Sequence, residues 1–395
     1  MSRQDAPPIY LDHAATTPVD PEVFATMKPY FTEHYGNPAS IHTVGQKAII
    51  AVDEAREQVA DFLGCKTGEI IFTSGATESN NFVLKGVLAA AKIQKPHIIT
   101  STIEHPCILD TCQHLEKRGV EVTYLPVDKE GVLNTKSVQE AIKENTVLVT
   151  IIYANNEIGT IQPIAEIGEI IKKANQERKN KIIFHTDAVQ AIQYLDCNVK
   201  KLGVDLLSLS GHKFYGPKGV GVLFVKEGTL IEKIQHGGHQ EYNKRAGTLN
   251  VPGIVGLGKA TELTSKNRVA DSKKQQKLRD LLINSILKNI PDSHLNGSNK
   301  HRLPNNANIR FDKIEGESIM LHLDFEGIAV STGSACTSGT LEPSHVLLAI
   351  GVAKEQAHGS IRFTLGKDTS EADIKKVLEV LPPIVKKLRQ MSPLK

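Results

Sequence analysis

Three polar residues stand where short apolar runs end, and each has a side chain able to move protons or capture a carbonyl. Lys213 follows DLLSLSGH, Asp187 closes KIIFHTD, and His105 lies in TIEHP just beyond HIITS. A carboxylate past the end of a buried strand is costly unless a partner holds it, so Asp187 demands a cationic group facing it. His105 could lie flat on a ring and shuttle protons. Asn155 and Asn156 of IIYANNEIGT offer amides suited to a ring hydroxyl. Taken singly, each has an ordinary reading as a salt-bridged lysine, a hydrogen-bonded structural histidine or a turn asparagine. Their shared position at strand ends is the stronger sign.

A lysine able to form a Schiff base, together with an acid that keeps a pyridine nitrogen protonated, is what a pyridoxal-phosphate site requires. Lys213 and Asp187 fit those two roles, with Ser210 and His212 beside the lysine. In FTSGATESNN an apolar strand runs into a tight turn that opens a helix. The backbone N–H groups of such a turn, with the positive end of the helix dipole, suit a phosphate. Gly75, Ala76 and Thr77 are the candidates, although Thr77 could equally be the cap of an ordinary helix. Arg362 in GSIRFTLG has the planar fork that grips a carboxylate, or a structural ion pair. Cys336 sits between Gly333 and Gly339 among small polar residues, where a thiol could swing between a buried donor and an outside acceptor, or be incidental.

The elements that must position these residues alternate. EIIFTS, HIITST, VEVTYLPV, TVLVTIIY, KIIFHTDA, DLLSLS and GVLFV are apolar or β-branched, and helical patterns such as NNFVLKGVLAAAK and IAEIGEIIKKANQER separate several of them. That order predicts an α/β unit around a mostly parallel sheet with helices on both faces, its ligands at the carboxyl ends of the strands. From Val251 to Ile290 the pattern predicts one long helix connecting two lobes. A smaller α+β unit follows, with NNANIRFD, GIAVSTG and GSIRFTLG as strands and an amphipathic helix near the end. The expected division is a large domain over residues 16–265, with 1–15 and 266–395 forming the small one.

A chain of 395 residues has room for two such lobes. A net charge of +3, with no long basic run, gives no reason to expect nucleic acid or membrane as the main partner. No apolar stretch has the roughly 18 residues a membrane helix needs, and the start lacks a signal-peptide core, so a cytoplasmic location is expected. The five cysteines, Cys65, Cys107, Cys112, Cys197 and Cys336, have no CxxC spacing, which argues against disulfides or a zinc site. All but Cys336 neighbour apolar residues and read as inert core or near-core thiols.

These motifs together closely resemble the NifS- and IscS-type cysteine desulfurases, a branch of the class-V aminotransferases with the fold-type I architecture of pyridoxal-phosphate transferases. The likeness runs from YLDHAATTP and YGNPASIH through TSGATESNN, EHP, NNEIG, TDAVQ and SGHKFYGPKGVG to RAGTLN, TGSACTS, LEPSHVL and SIRFTLG. It implies that Lys213 carries the cofactor, Asp187 holds the pyridine nitrogen and His105 stacks on the ring, with Gln190 and Asn156 near the ring hydroxyl. It also implies that Thr77, Ser210 and His212 hold the phosphate, joined by Thr248 from the second subunit of a homodimer. Arg362 and Asn37 would fix the substrate carboxylate. The implied reaction converts L-cysteine to L-alanine and leaves the sulfur as a persulfide on Cys336.

TGSACTSGTLEP, about residues 331–343, is similar to the long, mobile cysteine loop of one branch of that family. This implies hand-over of sulfur to protein acceptors, in iron-sulfur cluster assembly or tRNA thiolation. Thr332 stands where a second serine is common, and the chain ends at PLK without the longer tail of some relatives, which leaves the scaffold partner open. An aminotransferase or selenocysteine lyase would keep Lys213 but need no such cysteine. Supply of sulfur for DNA phosphorothioation, or a non-catalytic partner with the same fold, are the other readings.

Overall fold

The computed structural model describes residues 8–332 and 342–392. β1 (Ile9–Tyr10) lies near the start of the described chain. The next seven strands form one sheet: β2 (Ile70–Thr73), β3 (His97–Ser101), β4 (Glu121–Leu125), β5 (Thr146–Ile152), β6 (Ile183–Asp187), β7 (Leu206–Ser210) and β8 (Gly221–Val225). Their spatial order is β2-β8-β7-β6-β5-β3-β4. β4, β3, β5, β6 and β7 run parallel, while β8 is antiparallel to both of its neighbours. The mostly parallel α/β sheet expected from the sequence is therefore present.

Period-2 geometry sends successive side chains to opposite faces of a strand. Ile70 and Phe72 of β2, with Val222 and Phe224 of β8, enter one core with residues of the helices Thr43–Leu63 and Ile164–Ala174. Ile71, Leu223 and Val225 enter the other, against the helices Ala76–Ala91 and Pro106–Glu116. Complete burial of each large apolar side chain contributes about 1.5–3 kcal/mol.

The chain leaves β3 for β4 on one side and returns to place β5 on the other, so the order reverses between β3 and β5. Such a reversal opens a crevice at the carboxyl ends of the strands. Pairing of β3 with β5 stops at Ile99↔Val149, whereas β5 stays paired with β6 as far as Ile152↔Asp187.

β9 (Ser293–Leu295), β10 (Asn306–Phe311), β11 (Ile328–Ala329) and β12 (Ser360–Thr364) complete the strands. β10 lies between β12 and β9 in a three-stranded antiparallel sheet, and β11 pairs with β1. The helix Val251–Asn289 starts where the Asn250 side chain accepts the Gly253 N–H, and ends just before Pro291. Ile254, Leu257 and Ala260 of its first half pack in the large-sheet core. Leu278, Leu282 and Ile286 of its second half pack with Ile309, Phe363, Val377 and Leu381 in the small one. Among the described residues no helix is long and apolar enough to cross a membrane.

Candidate active site

At the crevice lies a cavity of about 700 Å³, within the usual range for small-molecule sites. Each β-strand ending there delivers one of its polar walls. β2 delivers Gly75, Ala76 and Thr77; the turn after β3 delivers His105; the turn after β5 delivers Asn156; β6 and its turn deliver Asp187 and Gln190; β7 delivers Ser210, His212 and Lys213. Arg362 closes the cavity from β12.

The strand-to-helix turn after β2 departs from an ordinary cap. Gly75 stands at the N-cap with φ 154° and ψ 177°, a conformation open essentially to glycine alone, and no side chain caps the helix. Thr77 therefore lies inside the first turn and is not its cap. A Cβ at Gly221 would come within 2.7 Å of the Gly75 Cα, so a bare backbone on β8 is needed to let the turn sit this close. Uncapped N–H groups at a helix start facing a cavity make a place for an anion.

Lys213 Nζ donates to the carbonyls of Ala14 and Ala15 at 2.6 and 2.7 Å. Gln190 Nε2 donates to the Ala14 carbonyl as well. Asp187 is buried, and its two oxygens accept from Asn80 Nδ2 at 2.7 Å and from the Val189 N–H at 3.0 Å. Burial holds the His105 pKa below the ordinary imidazole value, with Asp187 opposing and Lys213 reinforcing the shift. Burial, helped by Lys213 and Lys218, pushes His212 down to about 4. Two imidazoles of the cavity are thus neutral at physiological pH.

Arg362 is buried, and donates to the Asn156 carbonyl at 3.0 Å and to Asp12 at 2.8 Å. Its Nε–H is buried with no hydrogen-bond partner. Such a donor is expensive to leave unmade, and it suits an oxygen-rich ligand. Asn155 serves the fold: its amide donates to the Ile103 carbonyl, and its oxygen accepts the Glu157 and Ile158 N–H groups. The open choice between the two asparagines thus resolves to Asn156 at the cavity.

Asn37 and Thr248 are both exposed and outside this cavity. Asn37 accepts the Ala39 N–H and lines a separate cavity of about 340 Å³. Cys336, with the central part of its loop, lies outside the described residues.

Sequence reasoning missed several members. Cys107, which its sequence neighbours place among the inert thiols, lines the cavity, with Sγ 3.0 Å from His105 Nδ1 and 3.1 Å from Asn80 Nδ2. Burial pushes its thiol pKa far up, so it is neutral, and the grouping is corrected only in its location. Asn80 carried a readable signal, being a polar residue on the buried face of an apolar helix. Glu104, directly before His105, is fully buried and accepts from Ser101 Oγ and the Ile152 N–H, which bridges β3 and β5 where their ladder stops. His345 Nε2 donates to the Glu104 carbonyl, and its ring lines the cavity.

A parallel sheet whose reversal point holds a lysine, a buried carboxylate and a helix start defines an α/β enzyme built around a lysine-bearing anion site. Residues 9–377 match the class-V aminotransferase family, and the chain belongs to that family, within its cysteine desulfurase branch. It is 53% identical over 387 residues to cysteine desulfurase IscS of Dictyoglomus turgidum, covering 98% of this chain and 97% of that one. A solved NifS-like protein superposes with a TM-score of 0.90 at 39% identity, over 96% of this chain and all of the other. SspA, solved in complex with cysteine, superposes with a TM-score of 0.80 at 38% identity, over 90% of this chain and 98% of its own.

Proposed function

We propose that this protein is a pyridoxal-phosphate-dependent cysteine desulfurase that takes sulfur from L-cysteine onto Cys336. The observation that carries the reading is the convergence of Lys213, Asp187, His105, Arg362 and an uncapped helix start on one cavity. The residues present fit the cofactor. Gly75, Ala76, Thr77, Ser210 and His212 would hold its phosphate, Asp187 its ring nitrogen, His105 its ring face, Gln190 and Asn156 its hydroxyl, and Lys213 its aldehyde carbon. When bound, pyridoxal phosphate supplies a sink for electrons released at the substrate α-carbon.

The chain's own groups then divide the work. Arg362 offers its unpartnered Nε–H to the cysteine carboxylate, whereas Asn37, expected to share that role, lines the separate cavity and does not reach this one within its own subunit. Asp12 and the Asn156 carbonyl hold the guanidinium in place. Lys213 Nζ removes the α-proton, and its two carbonyl partners fix where that nitrogen stands. His105, kept neutral by burial, is able to accept a proton within the cavity. Cys336 attacks as thiolate; a sulfur–sulfur bond forms, the carbon–sulfur bond breaks, and its electron pair passes to the carbon framework. Protonation of that framework yields alanine, and the sulfur leaves on Cys336 for an acceptor protein in iron-sulfur assembly or tRNA thiolation.

The active species is read as a homodimer in which Thr248 serves the partner's site. The deciding experiment feeds L-cysteine to the purified protein and follows alanine together with the mass at Cys336. One added sulfur at that residue is expected; alanine without it would remove Cys336 from the reaction.

A further inference from the structure

Thr248 is exposed, yet the segment leading to it is held more firmly than a surface loop requires. Glu241, Tyr242 and Asn243 all have left-handed backbone, with φ of 46°, 56° and 61°, and none is glycine. Such a run is unfavourable for residues carrying a Cβ, and it persists only where the surroundings over-determine it.

What holds it is a buried ion pair. Glu241 takes both prongs of Arg56, at 2.7 and 3.0 Å, with side chains 0% and 6% exposed. The pair is also tied to β2: Arg56 donates to the Ile70 carbonyl at 2.7 Å, and the Phe72 N–H donates to Glu241 at 2.8 Å. The guanidinium also lies over the rings of Phe72 and Tyr242, at 4.7 and 5.2 Å. Beyond the turn, Arg245 grips Glu78 at 2.8 and 3.2 Å, in the first turn of the helix that follows Gly75. The segment is therefore fastened twice to the strand-turn-helix unit with the uncapped helix start, while Thr248 itself is exposed and does not line that unit's cavity.

Large apolar side chains are exposed on the turn and on either side of Asn37, which lines the smaller cavity with it. Tyr35, Ile41 and Tyr242 are 71%, 93% and 54% exposed, and Tyr242 shares the smaller cavity with Asn37, Arg56 and Glu241. Exposed apolar surface of this kind suits burial against a second copy of the chain.

We propose that Arg56 and Glu241 are positioning residues for the active site of the other subunit: they hold the left-handed turn so that Thr248 is presented outward to the cofactor phosphate bound there. This rests on the reading of the protein as a homodimeric pyridoxal-phosphate enzyme. The consequence is that cofactor affinity in one subunit depends on an ion pair buried in its partner.

The test uses full-length chains and reads pyridoxal-phosphate affinity by absorbance titration of the cofactor-free protein. Thr248→Ala should weaken binding about tenfold, the worth of one hydrogen bond to a charged group. Glu241→Gln should weaken it to a similar degree. Mixed dimers of differently tagged chains then separate the two subunits. In a Lys213→Ala chain paired with a Glu241→Gln chain, the intact lysine faces an intact turn, and affinity at the lysine-linked absorbance band should match wild type. With both substitutions in one chain and wild type in the other, the intact lysine faces the altered turn, and affinity should fall about tenfold.

A loss in the first arrangement with none in the second would overturn the proposal, because the pair would then act within its own subunit; equal losses would overturn it too, because the effect would not be directed across the interface. An effect of Thr248→Ala without one of Glu241→Gln would also overturn it. No effect of Thr248→Ala would instead overturn the reading beneath it that Thr248 serves the partner's site. Should Glu241→Gln fail to fold, Arg56→Lys, which keeps the charge but loses the two-pronged grip, is read in the same mixed dimers.

Discussion

Lys213 Nζ lies 2.6 Å from the carbonyl oxygen of Ala14, a residue 199 positions earlier in the chain. The contact makes the segment after β1 part of the site. Thr17 reinforces it, its N–H and hydroxyl both donating to the His212 carbonyl. Two main-chain acceptors on one amine confine its position.

Replacing Lys213 by alanine should remove the covalent attachment point while leaving the cavity otherwise intact. Borohydride reduction of wild type should fix the cofactor at position 213, and the variant should incorporate none. Desulfuration should drop by at least about a hundredfold, the lower range for loss of a positioned proton-transfer group.

His105 is kept neutral by burial, so its loss should appear both in rate and in pH profile. His105→Ala should lower the rate by about 10²–10⁴-fold. It should also abolish the acid limb of the wild-type profile, which is expected below the ordinary imidazole value. An unchanged rate and profile would remove His105 from proton transfer.

Asn80 is buried and donates to Asp187 and Cys107. Asn80→Ala strips a donor from a buried carboxylate and should destabilise the protein by about 1–3 kcal/mol. A urea midpoint equal to that of wild type would contradict this.

Complete burial raises the Glu104 carboxyl from 4.5 to about 8. Between those values the folded state keeps a proton that the unfolded chain has released. The stabilising effect is therefore full below about pH 4.5 and is lost as pH rises toward 8. Glu104→Gln, which stays neutral, should gain about 3 kcal/mol over wild type between pH 5 and pH 7.5. Denaturant unfolding at the two pH values checks it, and parallel curves for the two proteins would show that Glu104 ionises normally.

Strand ends, helix starts and the lysine and carboxylate that follow them were legible in sequence, because their signals are local. Period-2 apolar runs mark strands, and a residue just past a buried run must face a crevice. Lys213, Asp187, His105 and the Gly75 turn could be picked out on that ground alone. Asn80 and Glu104 could have been, since a polar residue amid buried apolar neighbours announces a partner. The carbonyls of Ala14 and Ala15 could not, because a main-chain oxygen leaves no mark in composition or spacing.

What the chain order alone determined is the alternation of strands and helices, and with it a sheet whose carboxyl ends collect the reactive side chains. Only the tertiary structure decided that β3 and β5 part company at the cavity, that Asn155 is spent on the Ile103 carbonyl and the Glu157 and Ile158 N–H groups, and that Arg56 finds Glu241 across 185 residues. The physical reason is that hydrophobic periodicity fixes which face of an element is buried, whereas the partner of a buried charge is set by how distant elements come to lie against one another.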